Sequence, residues 1–180
     1  MIPFSKATAQ AVVAQLDLEE TNRALADHWL SLWDADALPA RAKFNPALMK
    51  PFLTNMLMFS VVPGESVTVR LAGTGYRQIL GAELTGQDWI ALAPESHRAM
   101  RLKLFSTVAA GAVLVAHRLI AMTVGDDYVS EEILLPFAPE AAGSVPVMAH
   151  VNFKPEQFIK IKSFAQVTGD PLDYNLVPLA

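Results

Sequence analysis

The spacing of hydrophobic positions changes along the chain, and each change marks a predicted element. Leu18, Leu25, Trp29, Leu32 and Trp33 recur at helical spacing, while Glu19, Glu20, Arg23 and Asp27 fall largely elsewhere. That is an amphipathic helix with a heavy aromatic end. Asp17-Leu18-Glu19-Glu20 before it reads as a capping box, with Asp17 as N-cap and Glu20 reaching back. Pro39, Pro46 and Pro51 then permit only short helical turns. From Leu57 the period shortens. Leu57 to Val62 and Ser66 to Ala72 read as strands joined by the Pro63-Gly64-Glu65 turn, a hairpin. A short helix follows from Thr74 to Leu80, closed by Gly81, and then a turn at Thr85-Gly86 with Asp88 capping another helical turn. Pro94 to Ala110 reads as a longer helix ended by Gly111. Three further strands are predicted at Ala112 to Val124, Tyr128 to Ala138 and Ser144 to Phe153, the first two joined by a tight Gly125-Asp126 turn. The tail carries an alternating piece, Phe158 to Phe164, and a turn-rich end. Five antiparallel strands with helices inserted after the second make an α+β fold. The expected organisation is a helical arm and proline-rich connector over residues 1–54, a core over 55–153 and a tail over 154–180.

Composition narrows this picture. Hydrophobic residues make up 52% of the 180 and charged residues 18%, rich for a soluble monomer, so part of the apolar surface is expected to meet a partner. Lys and Arg number 14 against 18 Asp and Glu, a net charge of −4, which argues against non-specific nucleic-acid binding. Without cysteine there is no disulfide, no cysteine-ligated metal and no thiol nucleophile. The best apolar run, Leu104 to Ala116, contains Ser106, Thr107 and Gly111 and falls short of the ~17 residues that span a bilayer. The first twenty residues have one lysine and no sustained apolar stretch, so no signal peptide is expected. A cytoplasmic site is the expectation.

The glycine pair Gly73-Thr74-Gly75 stands where a phosphate-binding loop would begin. The third position of a dinucleotide fingerprint is Gln78, and the flanking strands read as antiparallel, so no parallel-sheet crevice is expected. The glycines are read as a strand end and a turn, with Thr74 capping the short helix.

The segment GTGYRQILGAELTGQDWIALAPES resembles that of PAS domains after their first two strands, with Gly81, Leu84, Gly86 and Trp89 in the matching places. Leu38, Pro39, Arg41, Phe44 and Pro46, with Arg70, Leu71, Gly73 and Thr74, resemble paired segments of a family of short, stand-alone bacterial PAS-like proteins. The likeness covers roughly Leu32 to Phe153. It implies a PAS-like five-stranded antiparallel sheet with short helices closing one face over a pocket. It implies sensing or protein interaction rather than catalysis, with output through another chain, and homodimers that pair through N-terminal helices. It names no ligand, since PAS pockets hold haem, flavin, small acids or nothing. A flavin photosensor of this fold needs a reactive cysteine, which is missing. A haem needs an axial ligand, and His97 in ESHRAMR reads as a solvated surface residue.

Candidate site residues follow from the expected hairpin. If Val124 opposes Asp127, then Leu114, Ala116, Arg118 and Ile120 share one greasy face with Val129, Glu131 and Ile133. Arg118 and Glu131 become diagonal neighbours there, either a structural ion pair or a pair that holds a ligand carboxylate. The expected pocket is mostly apolar, with Tyr76 and Trp89 at its rim. His117 and Glu132 form a similar diagonal on the other face, joined by His150, and supply the alternative reading of a small hydrolase or isomerase. The competing reading of His150 is a hydrogen-bonded histidine under the arm. Arg70 and Arg41 are read as anchors, and Arg98, Arg101 and Lys103 as a solvated face. Trp29, Leu32 and Trp33 are expected to anchor a homodimer in which the N-terminal arm takes part, with an arm folded back on its own sheet as the competing reading.

Overall fold

The computed structural model describes residues 4–34, 36–80, 83–120, 127–140, 143–153, 171 and 173–180. Its helices are α1 (Lys6–Gln15), α2 (Glu20–Ser31), α3 (Thr74–Leu80) and α4 (Glu95–Ala109). Its strands are β1 (Met56–Val62), β2 (Ser66–Ala72), β3 (Ala112–Ile120), β4 (Tyr128–Pro136), β5 (Val145–Val151) and β6 (Asp173–Pro178). Three short 3₁₀ turns, at Arg41–Lys43, Pro46–Met49 and Leu53–Asn55, carry the proline-rich connector. Asn45 caps the second of them from just before Pro46, the first-turn position proline tolerates.

The strands form one antiparallel sheet in the order β2-β1-β5-β4-β3-β6. The α+β class holds, with six strands rather than five. The sixth comes from the end of the tail, where Asp173–Pro178 pairs with β3. The Phe158 to Phe164 segment, the Gly81 helix stop and the Gly125-Asp126 turn lie outside the described residues.

Both faces of the sheet are covered. On the inner face Leu57, Phe59, Val69, Leu114, Leu134 and Val147 pack under α3, α4 and the Trp89 segment. On the outer face Met56, Met58, Val113, Ile133, Leu135 and Met148 pack under α1, α2 and the connector. The aromatic stripe of α2 covers its own sheet, so Trp29 and Trp33 are not free for the dimer contact expected of them. Trp29 and Trp33 are buried there edge to face, 5.2 Å apart, and Trp29 Nε1 donates to the Pro136 carbonyl at 2.9 Å. Folding the arm back costs no association entropy. Arg23 joins the two arm helices by donating to the carbonyls of Val13 and Leu16.

The start of α2 departs from the expected capping box. Glu19, not Asp17, is the N-cap, and no side chain within the helix caps it. The Glu19 N–H donates instead to the Glu131 carboxylate, at 3.1 and 3.2 Å. A carboxylate from β4 thus meets the positive end of the helix, which a distant residue can do as well as a local one.

The β3–β4 register also departs from expectation. Leu114 opposes Leu134, His117 opposes Glu131 and Arg118 opposes Ser130. The expected two-residue turn would have set Arg118 against Ile133. The described pairs, from Leu114 with Leu134 to Ile120 with Tyr128, lie three residues away from the expected register. An odd shift exchanges the faces of one strand relative to the other.

Gly73 has a packing reason. Its N–H donates to the Met56 carbonyl at 2.8 Å, and a β-carbon there would lie far inside contact distance of the Leu53 and Thr54 carbonyl oxygens. Both obstacles are backbone, so neither can rotate away. We expect Gly73→Ala to cost about 3 kcal/mol by overpacking. Gly64→Ala should cost only about 1 kcal/mol, since Gly64 faces open space and bears a φ of +77°. Urea unfolding of the two variants checks the ranking, and equal losses would count against it.

Candidate functional site

Two polar constellations occupy opposite faces of the sheet. On the inner face, Arg118 of β3 and Glu132 of β4 are diagonal neighbours on strands one register step apart. The Arg118 Nη2 and Nε donate to Glu132 Oε2 at 3.1 and 3.3 Å. The two side chains are 8% and 6% exposed, so the ion pair is desolvated. Ser130 Oγ, on the same face, donates to the Arg118 carbonyl at 3.4 Å. Tyr76 of α3 is fully buried in the same core, and its hydroxyl has no hydrogen-bond partner among the described residues. Burial raises the Tyr76 pKa well above the ordinary phenol value. The Glu132 charge adds to that rise and Arg118 opposes it, so both act on the hydroxyl.

Aromatic rings close the rest. Phe59 packs edge-on to Phe105 at 4.9 Å and tilted against Trp89 at 5.3 Å, and Phe153 meets Tyr76 at 6.2 Å. Trp89 and Tyr76 are therefore inside the core, not at a rim. The Arg101 guanidinium lies 4.4 Å from the Trp89 ring centroid, a cation–π contact.

On the outer face, Glu131 is buried beneath the arm. Besides the Glu19 N–H it accepts from Asn22 Nδ2 at 2.7 Å, and His117 Nε2 lies 3.6 Å from it. His117 Nδ1 is 2.7 Å from Asp173 of β6, and His150 Nδ1 is 2.7 Å from Asn22 Oδ1. Because Asn22 donates its amide to Glu131, its oxygen is the acceptor for a neutral His150 protonated on Nδ1. Burial pushes the His150 pKa down to about 4.

These positions correct two expectations. Glu131 does not join Arg118; the adjacent Glu132 does. Glu132 does not join His117 and His150, so the acid-base set of the enzyme alternative is divided by the sheet. The odd register shift is the reason in both cases. His150 is the hydrogen-bonded histidine under the arm. The basic residues of α4 do not form one solvated face either. Arg98 donates to the Ala91 and Ala93 carbonyls, Arg101 is buried and Lys103 is exposed. Arg41 pairs with Glu140 at 2.8 Å, and Arg70 is exposed on β2.

Sequence reading missed Asn22, Ser130 and Asp173. Asn22 left a signal: it stands on the same helical stripe as Leu18, Leu25 and Trp29, a polar position where the pattern calls for an apolar one.

A six-stranded antiparallel sheet with helices over both faces defines an α+β domain. A PAS domain family model matches residues 18–149, and the chain belongs to that family. Its members are sensory or interaction modules. A search of curated proteins returns no match. Among the described residues no helix is long and apolar enough to cross a membrane, and no three His, Asp or Glu side chains are grouped to hold a metal ion.

The outer network carries a pH signature. Between its ordinary pKa of 6.5 and about 4, His150 takes a proton in the unfolded chain that the folded chain refuses. Stability is therefore full above that window and falls as the pH drops through it. The expected loss from this group between pH 7 and pH 5 is about 2 kcal/mol. Urea midpoints over this range should slope less steeply in His150→Gln than in the wild type. Parallel slopes would remove His150 as the cause.

Proposed function

We propose that this PAS domain is a sensory module in which a small ligand enters the inner face beside Arg118, Glu132 and Tyr76, and the arm on the outer face passes the change to a partner chain. The observation that carries this reading is the Tyr76 hydroxyl. A buried hydroxyl without a partner costs about 1–3 kcal/mol. Here it lies within electrostatic reach of a desolvated ion pair in a core that is otherwise largely apolar. A ligand that presents a carboxylate or carbonyl oxygen would satisfy it and gain a charged donor from Arg118. Trp89 and Phe153 supply the apolar wall.

Transmission has a short route. Glu132 holds Arg118 on the inner face, and its neighbour Glu131 holds the start of α2 on the outer face. A ligand that draws Arg118 from Glu132 acts on the residue of β4 next to Glu131, which tethers the arm. Two conformations sharing that tether are enough for a switch.

Tyr76→Phe separates sensing from structure. It removes only the hydroxyl, so the unliganded protein should gain roughly 1 kcal/mol of stability. Compounds that raise the wild-type melting temperature, in a panel of small carboxylic acids and ketones, should bind the variant about tenfold more weakly. Mass spectrometry of the protein as purified tests for a carried ligand under the same comparison. Equal affinity in wild type, Tyr76→Phe and Arg118→Lys overturns the assignment.

A further inference from the structure

We propose a second ligand site on the outer face of β1 and β2, independent of the inner one and suited to a small amphipathic carboxylate. It begins with a β-bulge. Met58 opposes Leu71 and Phe59 opposes Val69, which leaves Arg70 as an extra residue in β2. A bulge re-aims side chains by breaking alternation. Val69 faces the inner core, whereas Arg70 and Leu71 both line the outer surface. One cation and one exposed leucine, 42% accessible, thus stand side by side.

Two adjoining cavities meet at this point and share Arg41, Met58 and Arg70. The larger, about 330 Å³, adds Ser60, Ser144 and Glu140. The smaller, about 160 Å³, is walled by Phe44, Pro46, Leu53, Met56 and Leu71. The larger alone sits at the lower end of small-molecule sites, roughly 300–1,000 Å³, and the smaller extends it. The connector builds the outer wall and its prolines stiffen it, so the groove is largely preformed.

Charge selects the occupant. Arg41 is neutralised by Glu140 at 2.8 Å. Arg70 has no hydrogen bond or ion pair among the described residues, so the polar lobe keeps one uncompensated guanidinium. A single carboxylate balances it, with a bidentate geometry that arginine favours. The Ser60 and Ser144 hydroxyls lie on the same lobe for the remaining lone pairs. The apolar lobe opens beside the cation and takes a short acyl or aryl tail. A bare anion leaves that lobe empty, and an amine meets Arg70 with like charge.

Calorimetry with octanoate tests the proposal on the full chain. Octanoate should bind saturably at sub-millimolar concentration, and acetate and octylamine at least about tenfold more weakly. Arg70→Gln should weaken octanoate about tenfold, and Leu71→Asp should abolish binding. Both positions are exposed, so the melting temperature should hold, and circular dichroism confirms the fold. Tyr76→Phe should leave octanoate binding unchanged, which distinguishes this groove from the inner site. No saturable heat up to about 10 mM octanoate, or an affinity indifferent to Arg70→Gln, overturns the proposal.

Discussion

Two neighbouring carboxylates on β4 face opposite sides of the sheet, and the β3–β4 register decides what each one meets. A strand alternates its side chains, so Glu131 and Glu132 cannot share a face. The register sets Glu132 diagonal to Arg118 and sets Glu131 opposite His117. A buried carboxylate survives only where donors replace its water. Glu132 takes a guanidinium. Glu131 takes the first N–H of α2, the amide of Asn22 and the edge of His117. Moving the register by one residue would leave both acids facing the wrong layer. The ion pair itself adds little net stability, because desolvation offsets much of the attraction. Its effect is to make one register much cheaper than its neighbours.

The arm depends on the outer of these two carboxylates. Its apolar stripe supplies most of the adhesion, since Leu25, Ala26, Trp29 and Trp33 are all buried. Apolar contact is not directional, and it would tolerate small slides of α2 along the sheet. Glu131 removes that freedom by pinning the helix start, while His150 holds Asn22 from β5. Position is thus set by polar contacts and adhesion by apolar ones. With position and adhesion assigned to different contacts, a small electrostatic change at Glu131 acts on where α2 sits and not on how firmly its greasy face is covered.

Much of the fold was legible in the residues. The amphipathic stripe, the hairpin at Pro63-Gly64-Glu65 and the long helix before Gly111 rest on local signals, and all three form. Arg118 was readable as a charge on a greasy face, and it is buried. Its partner was not readable, because the register depended on a connection length that Gly125-Asp126 appeared to fix. The helix cap was misread for a related reason: Asp17 and Glu20 suit a local box, but a carboxylate distant in sequence outcompetes them. Nothing in β2 announces a bulge, so Arg70 and Leu71 looked like ordinary alternating positions. Errors of this kind fall where a distant contact overrides a local preference.

The high hydrophobic content finds its explanation in the layers. A sheet covered on one face alternates apolar and polar residues, but one covered on both faces needs apolar residues at nearly every position. β5 shows the consequence: all seven residues from Val145 to Val151 are buried, including Pro146 and His150. Val113, Leu114, Val115 and Ala116 of β3 form a similar unbroken run. The 52% hydrophobic fraction is therefore consumed by a two-sided sheet within one chain. It carries no argument about a second copy in either direction. Among the described residues, the large hydrophobic side chains left exposed are Leu71 at the bulged edge, Leu48, Leu119, Val129 and Tyr174. A surface built around Leu71 sets an apolar side chain beside the Arg70 guanidinium, because the bulge turns both residues to the same side.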